Sequence, residues 1–178
     1  LKQEESYLKM MDVIRPLGII YTCNPSNCFK NLVLSLSERV PLVVIKNRDL
    51  DMEVDAVELN NAKPGRLMAE HLLKLGHRKV GVISPPLTRR QQQRFQRVEG
   101  FIQKFREEGL EDGVIVKAAD EEVDSHIPSI DSEYRIGYTL SKELLRENPD
   151  MTAIAGLNDM IALGILDALS EARLRVPA

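Results

Sequence analysis

The residues able to do chemistry in this chain are few, and most of them stand apart from one another. Cys23 and Cys28 lie close together but have no His or Cys cluster nearby, and a metal site needs more ligands than two thiolates. His71, His77 and His126 fall in different segments, and His77 sits in a "GHR" turn where the ring more often bonds a carbonyl than moves a proton. No glycine-rich loop follows an apolar run, and no Gly-x-Ser-x-Gly surrounds a serine. Phosphate cradling and nucleophilic catalysis therefore have no carrier here, and neither a cofactor nor a metal is expected. Recognition is what remains. In "TAIAGLNDMIALGILDAL", Asn158 follows an apolar run and opens a nearly uncharged helix. Its amide both donates and accepts, which suits a polar ligand at a strand-to-helix turn. The same residue type is a favoured helix N-cap, and Asp159 in the first turn complements the helix dipole. Both readings stand on the residues alone.

These groups must be held by the surrounding elements, and the chain alternates between helix and strand patterns. Tyr7, Met11 and Ile14 repeat with helical spacing, and "LGIIY" (17–21) reads as a short buried strand. Phe29, Leu32, Val33 and Leu36 predict a second helix and "PLVVI" (41–45) a second strand, with "DAVELN" (55–60) as a further extended segment. Pro64 suits a first helical turn, Gly76 a left-handed helix end, and "KVGVIS" (79–84) the next strand. Phe95, Val98, Ile102 and Phe105 predict a long helix and "GVIVKA" (113–118) a strand. Ile136, Leu140 and Leu144 mark another helix, and "MTAIAG" (151–156) a strand before the helix that Asn158 opens. Repeated strand–helix units imply an α/β fold with parallel strands and right-handed crossovers. Regular patterning lapses around residues 46–63, the best internal boundary.

The 178 residues carry 24 Lys and Arg against 27 Asp and Glu, a net charge of −3 with no global pull toward nucleic acid. The basic "RRQQQR" (89–94) reads as a solvated loop, and no window is apolar enough to span a bilayer. The final helix carries Ile161, Ile165 and Ala168 on one face and Met160 and Leu163 on another. It therefore needs two covered sides, one from its sheet and one from a neighbouring helix or a second subunit.

The order of "HLLKLGHRKVGVIS", "RVEGF", "GY", "TAIAGLNDMIALGILDAL" and "RVP" resembles the LacI/GalR family of bacterial transcription repressors. The resemblance implies a periplasmic-binding-protein-like core of two Rossmann-like subdomains with parallel sheets, both incomplete in this chain. Residues 1–60 would be part of the N-terminal subdomain and 61–178 most of the C-terminal one. It further implies a cytoplasmic homodimer that senses a small-molecule effector, a sugar or sugar derivative. Operator DNA would be bound through a helix-turn-helix domain outside this chain, and no reaction would be catalysed. A periplasmic sugar receptor shares the fold and is the alternative; an α/β enzyme acting on a sugar or nucleotide is a more distant one.

The resemblance also carries site residues onto this sequence. Arg97, in "RVEGF", matches the arginine that bonds the effector, and Asn158 the asparagine of the family's "ND" pair. Where the family has Asp after its "PVV" strand, this chain has Lys46; near the position of a stacking aromatic it has Ser132, or Tyr134 after a slip in register. An ammonium at Lys46 cannot accept a hydrogen bond, so two cations in one cleft imply an anionic effector such as a phosphorylated sugar. Otherwise Lys46 extends into solvent or pairs with Asp49 or Asp51. Ile161, Leu163 and Ile165 are the expected dimer-interface residues.

Overall fold

The structure is a computed structural model that describes residues 2–22, 29–47, 53–87, 92–120 and 130–177; the side chains of Lys2, Lys46, Asn47, Glu58 and Ile130 lie outside that description. Two compact units divide the chain, Leu1–Asn60 and Asn61–Ala178.

In the first unit, helix α1 (Lys2–Ile14), strand β1 (Ile19–Tyr21), helix α2 (Lys30–Ser37) and strands β2 (Leu42–Asn47) and β3 (Asp55–Leu59) follow in order. The sheet order is β1-β2-β3, all parallel. "DAVELN" is thus a full strand, with Ala56 opposite Val44. The core of this unit gathers Leu8, Tyr21, Val33, Leu36, Leu42 and Val44. Leu8 rather than Tyr7 or Ile14 is the buried residue of α1, because the helix rolls by about one position from the expected stripe. Tyr7 and Ile14 are more than half exposed. Tyr21 closes the contact between sheet and helix by donating its hydroxyl to Glu4.

The second unit comprises helix α3 (Ala62–Lys74), strand β4 (Val80–Ser84), helix α4 (Gln92–Glu107), strand β5 (Val114–Ala118), helix α5 (Ile130–Glu147), strand β6 (Ala153–Gly156) and helix α6 (Asp159–Glu171). Its sheet is parallel with β4 in the centre, in the order β5-β4-β6. All five residues of β4 are buried, as expected for a central parallel strand covered on both faces. Helix α3 ends as its glycine predicts. Gly76 adopts φ +91, its N–H donates to Leu73 and that of His77 to Leu72, the two bonds of a Schellman cap. The core centres on Val80, Val82, Ile83, Phe101, Phe105, Leu144 and Ile161, with the Phe101 and Phe105 rings stacked 5.2 Å apart. Phe95, expected on the buried stripe of α4, is 56% exposed, and Phe101 takes the central place.

The helices pack in close pairs, α3 with α4 and α5 with α6. Each crossing is built on glycine. A Cβ on Gly65 would come within 1.8 Å of the Arg97 carbonyl oxygen, and one on Gly164 within 2.1 Å of the Tyr134 carbonyl oxygen. The backbones touch there, and only hydrogen fits between them.

Candidate functional site

Beyond the carboxyl ends of β4 and β6, the N-terminal halves of α4, α5 and α6 converge. Ligands in parallel α/β sheets bind at this edge. The ladder runs on past β6, with the Leu157 N–H donating to Ile83 at 3.0 Å. This fixes the Leu157 carbonyl as an anchor, and Arg97 of α4 donates to it from one terminal guanidinium nitrogen at 2.9 Å. The Nε of Arg97 is buried and has no hydrogen-bond partner among the described residues. A buried N–H left without an acceptor costs about 1–3 kcal/mol, so its donor is available to a ligand.

Asn158 does two jobs at once. Its Oδ1 accepts from the Ile161 N–H at 3.0 Å, the N-cap expected of it. Its Nδ2 donates to Glu133 Oε2 on the first turn of α5 at 2.8 Å. Glu133 Oε1 in turn lies 3.4 Å from the guanidinium of Arg94, one turn before Arg97 on α4. Arg94 also reaches the Pro86 carbonyl at 3.4 Å, in the segment leaving β4. Arg94 and Glu133 are only 15% and 19% exposed, so this pair is weakly screened. Arg94, Arg97, Glu133 and Asn158 therefore form one polar cluster, held by three helices over two strand ends. It holds no nucleophile paired with a base, and no group of His, Cys, Asp and Glu fit to hold a metal is found among the described residues.

The structure brings Arg97 and Asn158 to the same edge and takes Ser132 and Tyr134 elsewhere. Tyr134 turns toward α6 and donates its hydroxyl to Asp167, which pushes its pKa up. Ser132 lines a groove of about 770 Å³ between β5 and α5, with Lys117 and Glu143. The residue between them, Glu133, is the one that enters the cluster, and sequence reasoning passed over it while looking for an aromatic. The available signal was an acidic residue in a helix first turn, set one residue from each alternative. Lys46 stands next to last in β2, its Cα opposite Glu58, and its side chain lies outside the described residues, as do Cys23, Cys28, Arg89, Arg90 and His126.

The expected interface residues also divide. Ile161 and Ile165 are 0% and 4% exposed and belong to the core of their own unit, so neither can face a second subunit. The α5–α6 crossing covers that side of the helix. Leu163 is 49% exposed and its neighbour Leu166 46%.

The family described as periplasmic binding proteins and the sugar binding domain of the LacI family matches residues 2–178. The chain belongs to this family. Among curated LacI-type relatives, the HTH-type transcriptional repressor PurR of Edwardsiella ictaluri is 29% identical over 181 residues, covering 99% of this chain and 49% of that protein. The chain spans about half the length of the curated relatives it matches. A LacI family regulator from Enterococcus faecium, solved with bound ribose, aligns at a TM-score of 0.70 and 24% identity over 97% of this chain and 59% of its own. A periplasmic ribose ABC transporter protein from Conexibacter woesei aligns at 0.74 and 19% identity, over 96% and 54%. At those identities the likeness establishes the fold, the periplasmic-binding-protein-like α/β architecture with open parallel sheets. LacI-type membership also accounts for the order of motifs from "GHRKVGVIS" to "RVP".

Proposed function

We propose that this chain is the effector-binding core of a LacI-type transcription repressor. It takes a small polar molecule, a sugar or sugar derivative, at the Arg94–Arg97–Glu133–Asn158 cluster and catalyses no reaction. The observation that carries this reading is Arg97, tied to the Leu157 carbonyl by one nitrogen while its buried Nε has no partner among the described residues. A donor held still and left unsatisfied is organised for an incoming acceptor. The PurR relatives support the repressor, and the regulator with bound ribose supports a sugar as the kind of ligand to try first. Operator DNA would be bound by a helix-turn-helix domain elsewhere in the protein, in the cytoplasm; no helix among the described residues is long and apolar enough to cross a membrane. The periplasmic neighbour favours a second reading, a sugar receptor for a transporter. The coding sequence upstream of Leu1 separates the two, a helix-turn-helix pattern supporting the repressor and a signal peptide the receptor.

The test is calorimetric titration of the intact protein with a panel of neutral sugars and sugar phosphates, before and after Arg97→Ala. A charge-assisted hydrogen bond contributes about 1.5–3 kcal/mol, so the variant should lose roughly ten- to a hundredfold in affinity. A panel that binds nowhere, or a variant that binds as the parent does, would end this reading.

We further propose a homodimer that uses the outer face of α6, where Leu163 and Leu166 are about half exposed. Carboxylates placed in an apolar interface must be desolvated, so Leu163→Glu with Leu166→Glu should yield a monomer in sedimentation. An unchanged dimer would put the interface elsewhere.

A further inference from the structure

We infer that Glu133 is a positioning residue of this site: it acts on the ligand through Asn158, by fixing the plane in which the Asn158 amide is presented. The inference rests on the reading above, that the cluster binds a small molecule, and adds how one of its contacts is aimed.

An N-cap bond alone leaves an asparagine side chain loosely directed. Asn158 Oδ1 accepts from the Ile161 N–H at 3.0 Å, and the planar amide can still turn about that single bond. A second bond removes this freedom. Nδ2 donates to Glu133 Oε2 at 2.8 Å, so the amide is held at both of its polar atoms and its plane is set. What is left for a ligand is one Nδ2 proton and one lone pair of Oδ1, each with a defined direction. A group ordered before the ligand arrives loses no freedom on binding, and affinity gains accordingly.

Glu133 can do this because it is itself held. Its other oxygen, Oε1, lies 3.4 Å from the guanidinium of Arg94, which also donates to the Pro86 carbonyl. Each carboxylate oxygen thus serves a different helix, Oε1 facing α4 and Oε2 facing α6. The backbone beneath is fixed as well. Helices α5 and α6 touch at the next residue, where a Cβ on Gly164 would lie 2.1 Å from the Tyr134 carbonyl oxygen. A short side chain that starts from a fixed point and is tied at both oxygens makes a firm support for its neighbour.

A double-mutant cycle separates action through Asn158 from direct contact with the ligand. Asn158→Ser keeps an oxygen to cap the Ile161 N–H and removes the amide nitrogen, while Glu133→Ala removes the carboxylate. The probe is ribose, titrated calorimetrically into the intact protein. Each single variant should weaken ribose binding roughly tenfold, and the double variant no further than Asn158→Ser alone. Glu133→Gln, whose carbonyl can still accept from Nδ2, should fall between the parent and Glu133→Ala. A further loss of similar size in the double variant would mean that Glu133 meets the ligand itself and would overturn the inference. Parent-like affinity in Glu133→Ala would do the same. Ribose binding that Arg97→Ala weakens and Asn158→Ser does not would keep the binding reading and end this one. In the ligand-free protein the Asn158 side-chain amide protons report the same bond by NMR, and Glu133→Ala should shift both. If ribose is silent for the parent, the sugar reading fails and this signal decides alone. Unmoved resonances would then overturn the inference, and shifted ones would uphold it.

Discussion

Gly65→Ala is expected to cost about 2–3 kcal/mol of stability and to weaken ligand binding at the same time. In an ordinary helix interior the change from glycine to alanine gains about 0.5–1 kcal/mol. Here the new Cβ would lie 1.8 Å from the Arg97 carbonyl oxygen, 2.8 Å from its carbon and 3.0 Å from the Phe101 nitrogen. Carbon and oxygen rest at about 3.3 Å even in close C–H···O contact, so α3 and α4 must part by more than an ångström. All three obstacles are backbone atoms, which cannot swing aside as a side-chain end can. The separation would loosen Ala69 and Phe101, both fully buried, and would carry the Arg97 guanidinium away from the Leu157 carbonyl. Gly109→Ala is the control, since Gly109 has φ +69 with nothing within 4 Å of an added Cβ. That change should cost only the roughly 1 kcal/mol of a left-handed alanine and leave the ligand alone. Urea unfolding and ligand titration on both variants provide the comparison. A Gly65→Ala protein as stable as the parent would mean that these helices do not touch through their backbones.

The α5–α6 crossing should respond as strongly, and with a signature of its own. A Cβ on Gly164 would lie 2.1 Å from the Tyr134 carbonyl oxygen and 2.7 Å from the Tyr138 nitrogen; one on Gly137 would lie 2.2 Å from the Ile161 carbonyl oxygen. Either substitution forces the same two helices apart. For a domain of this size a loss of about 2–3 kcal/mol corresponds to a fall in melting temperature of roughly 5–10 °C. Because the crossing, once opened, has room for a second methyl, Gly137→Ala with Gly164→Ala should cost little more than either alone. Additive losses would show that the two glycines relieve separate contacts. The site is involved directly, since Glu133 and Asn158 meet across this crossing at 2.8 Å. Gly164→Ala should therefore also weaken the ribose binding proposed for the cluster that this pair belongs to. Calorimetric melting of the three variants, each with and without ribose, reads both effects.

The alternation of strands and helices was legible from residue to residue because its causes are local. A short, β-branched run such as "VGVIS" with no charge reads as a strand covered on both faces, and β4 is buried at every position. Gly76 announced its own left-handed cap and Asn158 its own N-cap, since each acts within a turn of where it stands. The pairing of Arg97 with Asn158 came from the resemblance, and folding brings both to one sheet edge through the Leu157 carbonyl. What stayed hidden was every choice made between elements. No local pattern tells whether Tyr7 or Leu8 rolls into the core, because both lie within one residue of the same helical stripe. Ile161, Leu163 and Ile165 look alike in sequence. Helix α5, seated on α6 through two glycines, buries the first and the last and leaves Leu163 outside. Ser132, Glu133 and Tyr134 are consecutive, so about 100° of helix rotation separates each from the next. Packing of α5 against α6 sends Tyr134 to Asp167, Ser132 to the groove beside β5, and Glu133 to Arg94 and Asn158. A one-residue ambiguity in sequence thus became a choice among three environments, and it was resolved by contacts with α4 and α6, which no window along α5 contains.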